Sequence, residues 1–217
     1  MTFFLNSHVM NQNILQPMAI TEDHWLASAI RLSLPGGASM SIRRFLVIHF
    51  TSGATARSSV EFWQSPEAKG ACAHVIIDRD GTIYQCRPFN RTCGHAGKST
   101  WCDPKTGTRY DGLNACAIGI ELANAGDAAA LARRWSKLPL LKARHKNGGP
   151  TCEWEQFTAE QLAACEAVSK ALVARYHLDD VIGHDDIAPD RKNDPGPAFP
   201  MQQLREACGF QGLPKRP

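Results

Sequence analysis

Phe45-Leu46-Val47-Ile48-His49-Phe50 is a continuous apolar run interrupted once, at His49. Its β-branched and aromatic residues favour a buried strand. A second run, Ala117 to Ala123, is interrupted in the same way by Glu121. An imidazole and a carboxylate inside apolar strands cost free energy unless something compensates them, so both interruptions need a chemical reason. Between these runs, His74 to Gln85 reads as two short strands joined at Asp80-Gly81, where glycine supplies the positive φ of a tight turn. Thr158-Ala159-Glu160-Gln161 is a capping box that opens a helix carrying Leu162, Cys165, Val168, Leu172 and Val173 at helical spacing. Ser58 with Glu61 offers a second box, at the entry to a short helix with Phe62 and Trp63. Strands alternating with helices around an internal hairpin predict an α/β fold, a mixed central β-sheet flanked by helices.

The chain has 217 residues, 43% hydrophobic and 21% charged, which fits one globular domain and excludes disordered and fibrous classes. Residues 1–41 read as an N-terminal extension packed on or trailing from a main domain over 42–208, with a C-terminal tail over 209–217. A formal net charge of +3 is too small to imply a nucleic-acid partner. No apolar run approaches the roughly 20 residues of a membrane span. Met1 to His8 lacks the basic start and sustained apolar segment of a secretory signal. The expectation is therefore synthesis in the cytoplasm, with action there or after release or delivery by another device. Eight cysteines are spread from Cys72 to Cys208 without a CxxC pair or a common zinc spacing, and compartment decides whether any of them pair.

Val181-Ile182-Gly183-His184-Asp185-Asp186-Ile187-Ala188-Pro189-Asp190-Arg191-Lys192-Asn193-Asp194-Pro195-Gly196-Pro197 sets an imidazole, an ammonium and a carboxylate around a loop through which its prolines allow no helix. Loops held this way tend to carry chemistry. Together with Phe45 to Phe50 and Ile118-Gly119-Ile120-Glu121-Leu122, this loop resembles the zinc-dependent N-acetylmuramoyl-L-alanine amidases, the amidase type 2 family related to the peptidoglycan recognition proteins. The resemblance runs over roughly residues 43–205. It implies a single amidase domain cutting the amide between the N-acetylmuramic acid lactyl group and the L-alanine of peptidoglycan or muropeptides. It also implies one zinc ion (Zn2+) per chain, held by His49, His184 and Asp194. Two imidazoles and a carboxylate match catalytic rather than structural zinc, and such an ion activates water and polarises the carbonyl under attack.

The same resemblance gives the remaining residues their expected roles. Glu121 is the general base that takes a proton from water and passes it to the leaving amine. Lys192, two residues before Asp194, stabilises the growing oxyanion. In one branch of the family a tyrosine precedes the position of His74; Ala73 stands there in this chain, so the proton transfer falls to Glu121. His74 and His95 match positions near the substrate groove, with an orienting or core role for His74 as the alternative. Trp101 and Tyr110, in the Gly- and Thr-rich connection 98–113, are placed to stack on sugar faces or to anchor that loop. Asn114 and Asn124 flank the Glu121 strand and would bond the peptide stem or cap turns. Relatives often carry an aromatic residue where this chain has Cys93-Gly94.

Two alternatives stay open at this level. A non-catalytic peptidoglycan-binding module would keep the groove without the chemistry, and a zinc peptidase would cut within the stem. Arg133, Arg134, Lys137, Lys142, Arg144 and Lys146 follow one another with no acidic residue between them. They read either as a face toward anionic cell wall or as a solvated surface connection.

Overall fold

Strands and helices follow in the order β1 (Ile30–Arg31), β2 (Phe45–Phe50), α1 (Ala56–Trp63), β3 (Val75–Ile77), β4 (Ile83–Gln85), β5 (Thr100–Cys102), β6 (Arg109–Asp111), β7 (Ala117–Leu122), α2 (Ala129–Trp135), β8 (Leu140–Arg144), β9 (Thr151–Glu155), α3 (Ala159–Tyr176), β10 (Asp180–Gly183), α4 (His184–Ile187) and α5 (Met201–Ala207). The structure, a computed structural model, describes residues 18–212. The first part of the N-terminal extension, Met1 to His8 included, and residues 213–217 of the tail lie outside the described residues.

Six strands form the central sheet in the order β1-β4-β3-β7-β2-β10. All neighbours are parallel except β3 and β4, the hairpin expected around Asp80-Gly81, so the sheet is mixed. The two interrupted apolar runs are adjacent, in a register that sets His49 directly beside Glu121. Because side chains alternate along a strand, each run serves two layers. Leu46, Ile48 and Phe50, with Ile118, Ile120 and Leu122, share one core with Val168 and Leu172 of α3 and Leu204 of α5. Phe45, Val47 and Ala117 face the other way and pack with Ile182, Ile187 and Trp101. His49 and Glu121 continue that second set toward the strand ends.

Helix α3 starts at the expected box, with Thr158 and Gln161 capping each other. Helix α1 does not start at Ser58. Thr55 is its N-cap and Ser58 the third helical residue of the box, which places Glu61 on an exposed turn. Residues 18–41 pack on the domain: Ile30–Arg31 pairs in parallel with β4, and Leu26, Leu34 and Met40 are buried. The connection 98–113 is not a plain loop but contains an antiparallel hairpin in which Trp101 opposes Tyr110. The basic stretch likewise is no simple connection, since it begins in the last turn of α2 and enters a further hairpin, β8 with β9. Among the described residues no helix is long and apolar enough to cross a membrane.

Ile48 has no exposed surface and sits in the main core, whereas Phe62 is 53% exposed. Ile48→Ala is expected to cost about 2–5 kcal/mol in urea unfolding and Phe62→Ala less than about 0.5 kcal/mol. Equal losses at both positions would mean that β2 is not the centre of the core.

Candidate active site

Strands β7, β2 and β10 are neighbours and run in the same direction, so their C-terminal ends open on one crevice, the usual place for a site in an open parallel sheet. Glu121 and His49 stand at the ends of the first two. His184 begins the single helical turn after Gly183, which stops ahead of Pro189. The chain then returns so that the Asp185 N–H donates to the Asp194 carbonyl at 2.8 Å. This closes a loop in which His184 and Asp194 face each other.

Nδ1 of His49, Nδ1 of His184 and Oδ2 of Asp194 converge, each 2.9 Å from the other two, and all three residues are buried. The ring protons follow from the acceptors around them. His184 Nε2 lies 3.1 Å from the Ala96 carbonyl, which can only accept, so that nitrogen carries the proton. His95 Nε2 in the same way donates to the Ala117 carbonyl at 3.1 Å, leaving Nδ1 of His95 to accept from His49 Nε2 at 3.0 Å. Burial holds His49 down to about 4 and His95 well below its ordinary value, so neither ring takes a second proton near pH 7. The acceptors thus draw the ring protons of His49 and His184 to the far nitrogens, and three electron pairs point at one spot. Burial by itself would raise the Asp194 carboxyl, but the two imidazoles outweigh it and hold it well below the usual carboxylate range. Such a donor set repels itself unless it shares a cation, and two neutral imidazoles plus a carboxylate are the donors a divalent metal takes.

Glu121 is buried at Oε2, which has no hydrogen-bond partner among the described residues. Burial, with the Asp194 charge beside it, raises its pKa to about 8, and the Lys192 ammonium opposes that rise. Lys192 is half-buried and acts on both His49 and Glu121, so its charge lies within the same crevice. It lines a cleft of about 520 Å³ together with Asp127, Asn147, Trp154 and Asn193.

The expected substrate contacts fare differently. His74 has no exposed surface; Nδ1 accepts the Gly119 N–H at 3.1 Å and Nε2 donates to the Arg91 carbonyl at 2.8 Å, so neither nitrogen is left for substrate. His95 spends both nitrogens orienting His49 rather than reaching the groove. Trp101, 2% exposed, is a core side chain and no stacking platform. Asn114 ties a turn by accepting the Ala96 N–H at 2.7 Å. Asn124 is 1% exposed and bonds Gly126, Glu155 and Gln156. Two causes account for these corrections: Trp101 is buried in the core, and the polar groups of His74, His95, Asn114 and Asn124 are engaged within the fold.

Several contributors carry no local signal in the sequence. Gly119 leaves room for His95, since a Cβ there would lie 2.5 Å from the imidazole ring. Arg191 donates to the carbonyls of Ala96 and Lys98 and fastens the segment that holds His184. The β8–β9 hairpin grips the same loop: His145 Nε2 meets Asp185 at 3.0 Å, Lys146 pairs with Asp185 and Asp186 at 2.9 and 2.7 Å, and the Asn147 amide donates to the Asp185 carbonyl. Arg133 pairs with Glu153, and Arg134, Lys137, Lys142 and Arg144 are exposed cations of the same basic stretch.

Residues 39–197 match the family described as N-acetylmuramoyl-L-alanine amidase, which is most of the chain. The chain belongs to this family. AmiD of Escherichia coli (strain K12), itself an N-acetylmuramoyl-L-alanine amidase, is 37% identical over 126 residues, which are 57% of this chain and 37% of that protein. The 1,6-anhydro-N-acetylmuramyl-L-alanine amidase AmpD of Salmonella typhimurium (strain SL1344) is 35% identical over 138 residues, 61% of this chain and 54% of that protein. The chain thus spans about half or less of the length of these curated relatives. The solved complex of E. coli AmiD with the substrate anhydro-N-acetylmuramic acid-L-Ala-D-γ-Glu-L-Lys superposes with a TM-score of 0.59 at 29% identity, covering 84% of this chain and 63% of that one. The shared architecture is the mixed sheet with flanking helices described above.

If His95 sets the direction of His49, replacing it with Ala should weaken metal affinity about 10–100-fold in a chelator competition while leaving the three facing side chains in place. Unchanged affinity would reduce His95 to a packing residue.

Proposed function

We propose that this chain is a zinc-dependent amidase that cleaves the amide between the lactyl group of N-acetylmuramic acid and the L-alanine of peptidoglycan-derived muropeptides. The observation that carries this reading is the convergence of His49 Nδ1, His184 Nδ1 and Asp194 Oδ2, without a proton among them, at the ends of parallel strands. These three would hold one zinc ion per chain. When bound, zinc supplies Lewis-acid activation of water and of the scissile carbonyl. Family membership supports the choice of bond, and the AmiD complex supports a muropeptide as the kind of molecule that enters such a crevice.

The chain's own residues do the rest. Glu121 Oε2 lacks a partner among the described residues, so it is available to receive the proton of the attacking water and return it to the departing nitrogen. Burial and the Asp194 charge hold its pKa high, and positive charge at the three facing donors would lower it toward a working base. Lys192 supplies a fixed positive charge for the carbonyl oxygen as negative charge develops there. Both effects belong to the transition state rather than to metal binding.

Purified protein is expected to contain about one zinc per chain by elemental analysis, and His49→Ala and Asp194→Ala to lose it along with activity. Wild-type metal retention in either variant would remove that residue from the ligand set. Glu121→Gln and Lys192→Ala should each lower turnover by roughly 10²-fold or more with zinc content intact. Near-normal turnover would make the residue structural. Mass spectrometry of digested peptidoglycan decides the bond: new free L-alanine amino termini support the amidase, whereas cuts within the stem refute it.

A further inference from the structure

The half of the sheet away from the metal-facing donors carries a core cluster that includes three thiols, Cys72, Cys86 and Cys93, none of which serves the chemistry above. Cys72 and Cys93 belong to two segments joined by the parallel bridge between Ala71 and Gly94. Both side chains are buried in that one cluster, and each thiol shifts the titration of the other. Cys72 Sγ also accepts the Gly94 N–H at 3.4 Å, and the Arg87 guanidinium lies against the same sulfur. Arg87 is buried and is fixed by donating to the carbonyls of Thr92 and Pro35. A sulfur surrounded by a thiol, an amide N–H and a guanidinium is in the setting that favours a thiolate, with a second thiol already in contact.

We propose that Cys72 and Cys93 form a dithiol–disulfide pair, a redox modification site that can cross-link the segment entering β3 to the segment carrying His95 and Ala96. The titration of the thiols agrees with that arrangement. The Cys93 thiol, followed by the Gly94 N–H and Arg87, outweighs burial and draws Cys72 down to about 6, whereas burial pushes Cys86 up to about 12 and Cys93 well above its usual range. Cys72 is therefore the attacking sulfur and Cys93 the resolving one.

The oxidant is a small-molecule disulfide. The Cys72 thiolate attacks one of its sulfurs, breaking that S–S bond, forming a mixed disulfide and expelling one thiolate. The Cys93 sulfur then attacks Cys72 Sγ, and its proton passes to the second departing thiolate. The chain loses two electrons and the protons of two thiols; the oxidant gains both and leaves as two thiols. The bond so formed closes beside the residues whose Nδ1 and carbonyl oxygen hold the outer nitrogens of His49 and His184. Oxidation would stiffen that support without altering the donors.

The test is equilibration of the full chain in glutathione buffers of increasing oxidised fraction, followed by alkylation under denaturing conditions and non-reducing peptide mapping. Six of the eight cysteines should remain alkylatable, with one linked peptide joining Cys72 to Cys93, and Tm should rise by several degrees and return on reduction. Cys86→Ser should keep this behaviour. Cys93→Ala should arrest Cys72 as a glutathione adduct, and Cys72→Ser should abolish both adduct and bridge. Eight free thiols in the most oxidising buffer, a bridge made by Cys86, or a persistent adduct on wild-type Cys72 with no bridge would each overturn the proposal.

Discussion

Everything in this molecule depends on the direction of three electron pairs. Two imidazoles and a carboxylate are buried so that their unprotonated atoms meet at 2.9 Å. What holds them there is the backbone. The carbonyls of Ala96 and Ala117 accept protons from His184 and His95, and His95 in turn accepts from His49. A carbonyl cannot donate, so it fixes the tautomer of the ring that faces it, and the opposite nitrogen is left bare. The fold places the groups, and the carbonyls decide what they can bind.

The sheet makes such a meeting possible because three adjacent parallel strands end at the same level. One face of these strands is filled by aliphatic side chains under α3 and α5. The opposite face turns from apolar packing near the strand starts to His49 and Glu121 at their ends. The change from core to crevice takes two residues along each strand, Val47 to His49 and Gly119 to Glu121. A similar economy joins the second hairpin to the core. Glu155 of β9 is buried with Arg79 as a bidentate partner and also accepts from the Ala125 N–H, so the hairpin that grips the His184 loop is anchored at its far end too.

The fold was legible because its main signals are local. An apolar run with one polar interruption, an Asp-Gly turn and a Thr-x-x-Gln box each declare themselves within a few residues. His49 and Glu121 stand out locally as costly interruptions of apolar strands, whereas the roles of His184 and Asp194 came only from the resemblance carried by the motifs as a set. The supporting residues were illegible. His145 gains its meaning only from Asp185, 40 residues later, and Gly119 only from a ring that another loop lays over it. The expected peptide contacts were illegible on the same ground, since polarity in a sequence does not reveal whether a distant carbonyl has already claimed it, and Trp101 was lost to burial in the core. Asn124 and His74 look available until the chain is folded.

His184 and Asp194 come from one loop, ten residues apart, while His49 comes from a strand at the centre of the sheet. The three donors therefore do not separate independently. Fluctuation of β2 would need the whole domain to open, but the loop can lift as a unit once the Asp185–Asp194 backbone bond and the hairpin contacts break. That single event withdraws two of three donors together, so an ion held there would leave by local unfolding of the loop rather than by stepwise loss of one ligand after another. The lifetime of such an occupied site would then be governed by His145, Lys146 and Asn147, which lie outside the donor set.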